Sequence, residues 1–494
     1  MKYILRPILL VFISSFVFHA PLEAKIKKHV QARPVAPHID VDANSVVDRL
    51  AKSYRIKLEN LSMYISVGQG ESLVPVLDVN ARQSLIPASI SKIATTAAFL
   101  KHYPPGTKFR TQVFLSESPR LEEFKGDLYL KGGGDPGFVS ESMWYLVNVF
   151  SRTGVRKING NIIVDDSLFD EARYDESRES VRVDRAYDAP VGAMSFNWNS
   201  VNVFVRPTND SRSQVILDPE NDYVKLVNKI NITNGSENHL VVSRVSDERN
   251  KQDVIQVTGS IGRNLGTPMN EMVVFKNITR PSLWAGANLK SFLAQRGIQV
   301  TGEVKPGIVP AKAVLVAESE SKPSESLVTD MNKFSNNFVA EMLCKHLGVL
   351  KGQPGDISKG VSIIRDYLNS LGLTEKDITI VNPSGLTRDN RASAWAIWKI
   401  LQTMREDFTV QAESMMSLPI SGVDGTLRKR MKGTPAERMV RGKTGYLDNV
   451  VSLAGYAGVA NKQMISFAFI YNGSTDESKV REFFDKVLTE IVSN

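Results

Sequence analysis

The chain has 494 residues, which is too long for one ordinary domain. The length predicts about two to four domains. With 42% hydrophobic and 23% charged residues it has the composition of a soluble globular protein, which excludes disordered, collagen-like and low-complexity architectures. The formal net charge of +8 is modest and spread along the chain, so nucleic acid is not expected as a partner.

Residue types that bind metals are scarce. The single cysteine, Cys344, excludes an internal disulfide and any cysteine-rich zinc or iron–sulfur site. The six histidines show no HExxH or other ligand spacing. We therefore expect no metal and no organic cofactor.

The N-terminus has the layout of an export signal. Two basic residues precede an apolar run over 7–18, and small residues follow that run. Because the run is short for a bilayer span, it predicts a signal peptide over 1–24, the alternative being an uncleaved membrane anchor. A basic, proline-containing linker over 25–43 is either a solvated tail or a loose contact with the membrane or anionic envelope polymers. We expect an exported protein that works in the periplasm or elsewhere outside the cytoplasm.

The chain then predicts a compact opening of strand, strand and helix. Apolar residues alternate with polar neighbours over 61–67, and a second strand follows over 74–79 after a Gly-Gln-Gly turn. Pro87 and a small residue precede an apolar run over 90–100, which predicts a buried helix.

A β-rich block separates this opening from a second region of mixed character. The block predicts one helix, at 282–295, and strands at 127–130, 161–164, 201–205, 239–245 and 254–257. After residue 324 the pattern predicts helices at 327–347, 357–371, 393–404 and 477–492, and strands at 450–457 and 464–471. The economical interpretation is one α+β domain split by a long β-rich insertion.

The first chemical motif is a Ser-x-x-Lys formed by Ser89 and Lys92. On a helix these side chains share one face, and a helix N-terminus offers free N–H groups to a developing oxyanion. Lysine acts as a base only if burial or a nearby cation lowers its pKa. Ser319 and Lys322 match the motif too, but they lie in a polar stretch, whereas Ser89 opens an apolar run.

Ser335 and Asn337 form a Ser-x-Asn, a pattern that recurs elsewhere in the chain. This copy is singled out because it enters an apolar helical run over 338–343. One interpretation is a helix cap. The other is a functional pair, in which the hydroxyl relays a proton to a leaving amine and the amide positions a substrate amide.

Lys443, Thr444 and Gly445 form a Lys-Thr-Gly that occurs once in the chain, shortly before a predicted strand. On an edge strand, the lysine and the hydroxyl suit a substrate carboxylate, and glycine lets a substrate backbone approach closely. For the tripeptide alone, the alternative is a β-turn with an exposed lysine.

Together the three motifs occur in the order and context found in penicillin-binding proteins and class A β-lactamases. The chain resembles the D-alanyl-D-alanine carboxypeptidase/endopeptidase family, the class C low-molecular-mass penicillin-binding proteins, over nearly everything after the linker. Further family-like stretches lie at 87–89, 126–130, 134–136, 164–167, 189–202, 335–341, 384–388 and 424–427.

The resemblance implies an α+β multidomain fold. A β-lactamase/transpeptidase-like domain, an antiparallel sheet flanked by helices, is split by a long β-rich insertion that forms two nested smaller domains. The interval between Ser89 and Ser335 is far longer than a plain β-lactamase needs, which agrees with such an insertion. The expected parts are a catalytic domain over 44–107 and 317–494, domain II over 108–190 and 270–316, and domain III over 191–269.

The resemblance also implies roles for the motif residues. Ser89 is expected to be the acylated nucleophile and Lys92 its base, while Ser335 and Asn337 relay a proton and position the substrate. Lys443 is expected to lower the pKa of the cluster and, with Thr444, to hold the terminal carboxylate beside Gly445.

Other residues are expected around this centre. Backbone N–H groups of Ser89 and Tyr446 would form the oxyanion hole. Family members usually carry a small hydroxyl residue at the position of Tyr446, so carboxylate recognition is expected to differ in detail here. Ser384 and Arg388 are expected next to the site, and Asp165 and Phe169 near its rim.

We therefore expect a serine D-Ala-D-Ala carboxypeptidase/endopeptidase. It would hydrolyse peptidoglycan stem peptides or their cross-links through an acyl-enzyme on Ser89, and β-lactam antibiotics would acylate and inhibit it. The alternatives are a β-lactamase-like hydrolase, against which the insertion argues, and a non-catalytic envelope scaffold of the same fold. No oligomeric state is predicted.

Overall fold

The structure is a computed structural model that describes residues 37–178, 183–208, 213–461 and 463–493. The predicted signal peptide, 1–24, lies outside the described residues, as does the predicted linker up to residue 36. Within the described ranges, no helix combines the length and the apolar character needed to cross a membrane.

The α-helices of the described ranges are numbered in chain order: α1 (Ala43–Tyr54), α2 (Lys92–His102), α3 (Ser140–Ser151), α4 (Pro281–Gln295), α5 (Ser324–Lys333), α6 (Asn337–Val349), α7 (Ile357–Ser370), α8 (Ala394–Glu406), α9 (Gln411–Met416) and α10 (Glu477–Ser493).

The β-strands of the same ranges are β1 (Leu61–Val67), β2 (Val74–Val79), β3 (Arg110–Leu115), β4 (Glu123–Lys125), β5 (Leu128–Lys131), β6 (Lys157–Asn159), β7 (Ile162–Asp165), β8 (Ser200–Pro207), β9 (Ser213–Asp218), β10 (Val224–Thr233), β11 (Val241–Asp247), β12 (Gln252–Gly262), β13 (Met272–Asn277), β14 (Gln299–Val300), β15 (Val304–Pro306), β16 (Val314–Glu320), β17 (Ile378–Thr379), β18 (Arg391–Ala392), β19 (Val440–Leu447), β20 (Val450–Gly458) and β21 (Met464–Asn472).

A central antiparallel sheet joins strands from early and late in the chain, in the order β19–β20–β21–β1–β2. One face packs against α1 and α10, and the other against α2, α6, α7 and α8. Because both faces are covered, β1 and β20 are almost entirely buried. The sheet leaves β19 at its edge, beside the turn that leads into α2.

The polar positions of β1 have partners in the helix layer. Ser62 and Ser66 alternate with the apolar residues of this strand and are fully buried. Ser62 Oγ accepts a hydrogen bond from Ala394 N at 3.1 Å, and Ser66 Oγ accepts one from Trp398 Nε1 at 2.8 Å. Both faces of this strand are therefore covered, and on the face that carries the two serines α8 provides their hydrogen-bond partners.

The residues between α2 and α5 build a hydrophobic core of their own. A five-stranded mixed sheet, in the order β15–β7–β5–β3–β16, packs against α3 and α4. Three smaller sheets have the orders β14–β6–β4, β13–β8–β9 and β10–β12–β11. The predicted α+β fold, an antiparallel sheet flanked by helices and interrupted by a β-rich insertion, is confirmed. The domain boundaries given above stay a prediction.

Two expectations about helices are wrong. The insertion contains a second helix, α3, whose aromatic and β-branched residues favour strand locally, but whose buried Leu146, Val147 and Phe150 fix it against the core. The expected single helix over 327–347 is two helices, because Ser335 takes a left-handed backbone with φ of 54°.

Candidate active site

Ser89 and Lys92 meet at the start of α2, where a short 3-10 turn over Ala88–Ser91 runs into the helix. Lys92 is fully buried, and its Nζ lies 3.2 Å from Ser89 Oγ and 2.8 Å from Asn337 Oδ1. The same amine donates to the backbone carbonyl of Ser384. The predicted nucleophile and base are therefore in contact, and one amide from the second motif holds the amine in place.

The surroundings of Lys92 favour its neutral form. Burial, followed by the nearby charge of Lys443, holds the pKa of Lys92 well below its ordinary value, and the carboxylate of Glu341 opposes this only in part. An unprotonated amine can accept the serine proton, which an ordinary lysine at neutral pH cannot do.

Ser335 and Asn337 lie on either side of the boundary between α5 and α6. The Asn336 side chain caps α6 by accepting from Val339 N at 3.2 Å, so the cap belongs to the residue between the two predicted ones. Ser335, in its left-handed conformation, accepts a hydrogen bond from Lys443 Nζ at 2.8 Å. A non-glycine residue in this backbone region is strained, and such strain concentrates at functional sites.

Lys443 projects from β19 into the same cluster. It is fully buried, donates to Thr444 O at 2.7 Å as well as to Ser335, and burial lowers its pKa to about 7. Thr444 is partly exposed next to it, and its hydroxyl pairs with Thr426 Oγ1 at 2.8 Å. The edge strand thus places two groups side by side: an amine that can gain or lose its proton near neutral pH, and a hydroxyl.

Gly445 is required by the protein's own packing. A Cβ at this position would lie 2.8 Å from Pro87 O and 3.0 Å from Ser89 N, and it would overlap Ser452 Oγ. Ser452 Oγ in turn donates to Pro87 O at 2.7 Å. The glycine predicted for close approach of a substrate backbone therefore lets β19 pack against the turn that carries Ser89.

The remaining predicted residues are placed less centrally. Ser384 contributes its backbone carbonyl to Lys92, while its side chain is turned to Asn382 Oδ1 at 2.5 Å. Arg388 is exposed and donates to Asp448 O at 3.0 Å, in the turn after β19. Tyr446 is 52% exposed, with its ring 5.7 Å from the guanidinium of Arg481.

The two residues expected near the rim are interior. Asp165 is buried and accepts from Ser167 N at 3.0 Å and from Val309 N at 2.9 Å. Phe169 is buried with its ring centroid 5.1 Å from that of His346. Phe169 belongs to the core around α2 and α6 rather than to that of the inserted block. Both side chains are buried, and their place near the active-site rim stays a prediction.

Sequence reasoning missed a buried ion network behind the site. Arg178 pairs with Asp188 Oδ1 at 2.7 Å and with the Glu341 carboxylate, and all three side chains are at most 5% exposed. Glu341 Oε1 also accepts from Ser384 Oγ at 3.3 Å. A glutamate within the apolar run of α6 was the available signal, since a buried carboxylate needs a partner.

An open cleft leads away from the cluster. Its volume is about 1110 Å³, and its lining includes Ser335 and Asn337 at one part and the exposed Trp198 and Tyr187 of the insertion at another. The second motif therefore lines a large cleft, whose size suits an extended substrate.

Comparison with known proteins agrees with this chemistry. The family model described as D-Ala-D-Ala carboxypeptidase 3 (S13) matches residues 43–491. A D-alanyl-D-alanine carboxypeptidase of Actinomadura sp. (strain R39) is 30% identical over 408 residues, covering 79% of this chain and 74% of that relative.

Solved structures share the fold. Penicillin binding protein 4 from Haemophilus influenzae aligns with a TM-score of 0.75 at 19% identity, covering 91% of this chain and 99% of that one. A β-lactam complex of the same Haemophilus influenzae protein gives a TM-score of 0.70 at 19% identity, covering 92% and 100%.

The fold and the serine–lysine centre define a serine acyl-transfer hydrolase of the penicillin-binding class. The chain belongs to the D-Ala-D-Ala carboxypeptidase 3 (S13) family, so the membership inferred from its motifs is confirmed. It is a serine-type D-alanyl-D-alanine carboxypeptidase.

Proposed function

We propose that Ser89 is the nucleophile of this carboxypeptidase and Lys92 its general base. Lys92 Nζ takes the proton of Ser89 Oγ, which attacks the carbonyl carbon of the penultimate D-alanine. The resulting oxyanion is held by the backbone N–H groups of Ser89 and Tyr446, the first at a helix start and the second on the edge strand.

Collapse of this intermediate breaks the peptide bond and requires a proton on the leaving amine. Ser335 Oγ gives that proton and recovers one from Lys443 Nζ, with which it shares a hydrogen bond. Water then attacks the ester on Ser89 and gives a proton to Lys443 Nζ, by way of Ser335 Oγ. Lys92 Nζ returns its proton to Ser89 Oγ as the ester bond breaks, and the shortened peptide leaves with a free carboxyl group. Lys443 and Thr444 bind the terminal carboxylate of the substrate, and Asn337 positions both Lys92 and a substrate amide.

The observation that carries the proposal is the single contact set of Lys92. One desolvated amine touches Ser89 Oγ and Asn337 Oδ1, two residues separated by the whole insertion, and its pKa is depressed by burial and by Lys443. A lysine with a purely structural role does not need an unprotonated amine, whereas a general base does.

We infer that the substrates are peptidoglycan stem peptides and their cross-links, and that β-lactams acylate Ser89. The related Haemophilus influenzae protein is known in a β-lactam complex. A β-lactam places its strained amide where the scissile bond of D-Ala-D-Ala lies, so the same serine and base act on it. We also propose export by the 1–24 signal and function outside the cytoplasm, in the periplasm or its equivalent, with loose envelope contact through the basic linker 25–43.

The experiment is release of free D-alanine from a stem pentapeptide, measured for the wild type, for Ser89→Ala and for Ser319→Ala. Ser319 heads the second Ser-x-x-Lys and serves as the matched control. Loss of release in Ser89→Ala alone supports the assignment. Release that survives Ser89→Ala contradicts it. A cross-linked dimer assayed in parallel tells trimming from cross-link cleavage.

A further inference from the structure

Three consecutive residues of the insertion have a backbone that ordinary side chains avoid. Asn197, Trp198 and Asn199 have φ values of 48°, 51° and 50°. Asparagine tolerates this left-handed region, but for a bulky residue such as tryptophan it is a true outlier. The turn lies just before β8.

The two asparagines lock the turn in place. Asn199 is fully buried, and its Nδ2 donates to Pro190 O and to Ser195 Oγ, both at 2.8 Å. Asn197 Oδ1 accepts from Ser140 N at 3.0 Å, at the start of α3. The surrounding structure therefore fixes the backbone of Trp198 independently of its indole.

The strain does not serve to bury the indole. Trp198 is 43% exposed and lines the same cleft as Ser335 and Asn337. Tyr187 and Phe275, 57% and 53% exposed, line it as well. Strain that presents an aromatic ring to an open cleft points to a ligand, because glycine would adopt the same backbone without strain if packing alone mattered.

The cleft wall combines aromatic faces with neutral and acidic hydrogen-bonding groups, among them Asn202 and Asp218. Its basic residue, Lys322, is paired with Asp330 of the same lining at 2.9 Å. A pyranose ring matches this combination, since one face carries C–H groups that stack on an indole and its rim carries hydroxyl and acetamido groups. A bare stem peptide, with methyl groups and carboxylates, matches it less well.

The position of Trp198 in the cleft agrees with a sugar as its ligand. The sugar that carries a stem peptide lies about four residues from the scissile bond, on the order of 14 Å if the peptide is extended. Trp198 shares the cleft lining with Ser335 and with Asn337, whose amide contacts Lys92, so a substrate still attached to its glycan has a path along the cleft.

We propose that Trp198 is a saccharide-binding residue, which stacks on an aminosugar of the glycan strand and makes the enzyme prefer glycan-linked substrates to free stem peptides. This inference rests on the proposed function, because it assumes that the acyl donor is bound at Ser89 in the same cleft. It assigns the insertion a role in substrate selection.

The kinetic test compares kcat/KM for a free stem pentapeptide with that for the same pentapeptide on its disaccharide, using the full-length protein. We expect the wild type to prefer the disaccharide substrate. Trp198→Ala should lose about five- to twenty-fold on that substrate, the range of a single aromatic contact, and change less than about two-fold on the free peptide. Trp198→Phe should retain part of the preference.

Two further variants separate binding from stability. Trp198→Gly should melt at the wild-type temperature or above, because glycine adopts the left-handed backbone without strain, and yet lose the disaccharide preference. Trp144→Ala is the matched control, since Trp144 is a 57% exposed tryptophan of the insertion outside the cleft lining. Equal losses of Trp198→Ala on both substrates, or no preference in the wild type, overturn the proposal.

A binding measurement distinguishes failure of this inference from failure of the proposed function. Peptide-free disaccharide is titrated by calorimetry against Ser89→Ala and against Ser89→Ala/Trp198→Ala. Binding by the first protein and not by the second supports the saccharide site, even if Ser89 is not the nucleophile. Equal binding by both, or none by either, contradicts the site even if D-alanine release depends on Ser89.

Discussion

Lys443 Nζ lies 2.8 Å from Ser335 Oγ, and this contact ties the edge of the central sheet to the boundary between two helices. In the proposed mechanism neither residue carries out the attack. The charge of Lys443 lowers the pKa of Lys92, and the pair is proposed to pass a proton to the leaving group. Burial lowers the pKa of Lys443 to about 7, so the pair changes charge close to neutral pH.

This pKa predicts how Lys443 affects stability. The unfolded lysine keeps its ordinary pKa near 10.5, so between about pH 7 and 10.5 the unfolded state binds more protons than the folded one. Wild-type stability relative to Lys443→Met should therefore rise with pH over this window, by about 1.4 kcal/mol per pH unit at most. Urea unfolding of both proteins at pH 7 and pH 9 measures the difference. A difference that is constant or falls with pH contradicts the depressed pKa.

The role of Lys92 as a base predicts that arginine cannot replace it. A guanidinium stays protonated, so Lys92→Arg should slow acylation by at least about 1000-fold, a loss typical of a missing general base together with a buried charge. Stopped-flow acylation by a chromogenic cephalosporin measures the rate. Lys322→Arg is the control, since this exposed lysine belongs to the second Ser-x-x-Lys. Comparable rates for both variants would sink the assignment.

The packing around Gly445 predicts a steep effect from one added methyl group. Gly445→Ala should destabilise the protein by about 1–3 kcal/mol and slow acylation, because the Cβ displaces the turn that carries Ser89. Gly442→Ala, on the same strand, should be milder, since its Cβ would meet the Leu453 side chain at 3.1 Å and no backbone atom closer than 3.5 Å. Thermal melting and acylation rates of both variants provide the comparison.

A rescue makes that prediction sharper. Ser452→Ala removes the Oγ atom that the new Cβ would overlap, so Gly445→Ala/Ser452→Ala should recover part of the lost acylation rate. Slow acylation by Gly445→Ala with little loss of stability, and no recovery in the double variant, would show that the glycine serves substrate access rather than packing.

The buried ion network predicts that neutralising one of its charges destabilises the protein far more than neutralising a charge of an exposed ion pair. Glu341→Gln leaves Arg178 buried with one partner fewer, which costs about 3–5 kcal/mol when a buried pair is broken. Glu303→Gln removes the carboxylate of an exposed pair with Lys305 and should cost less than about 1 kcal/mol. Urea unfolding compares the two. Equal losses contradict a structural role for the network.

Local pattern was sufficient for four of the five strands of the central sheet, whereas β19 was not predicted. The predicted strands 61–67 and 74–79 coincide with β1 and β2. β1 is buried along its whole length, and the apolar residues that its packing demands set the pattern there. The lysine–serine contacts could be anticipated because Ser89 and Lys92 are one helical turn apart. That Lys92 and Asn337 belong to one site was expected from the order of the motifs, because no local pattern relates residues so far apart in the sequence.

What could not be predicted depends on contacts between distant residues. The break at Ser335 lies in a stretch of continuous helical pattern, and only the packing of Lys443 against its hydroxyl shows why a left-handed residue is placed there. The pairing of Arg178 with Glu341 joins the insertion to α6, and no periodicity links such positions. The strained turn at Trp198 is likewise invisible in sequence, because its asparagines suit many kinds of loop.

The most direct test of Ser89 chemistry is the intact mass of the protein after incubation with benzylpenicillin, followed by peptide mapping and with Ser89→Ala as the control. We expect one stable adduct, on the peptide that contains Ser89, and none in the variant. Penicillin consumed without an adduct would favour the β-lactamase-like alternative. Penicillin left intact, or an adduct on another serine, would contradict the assignment of Ser89 as the nucleophile.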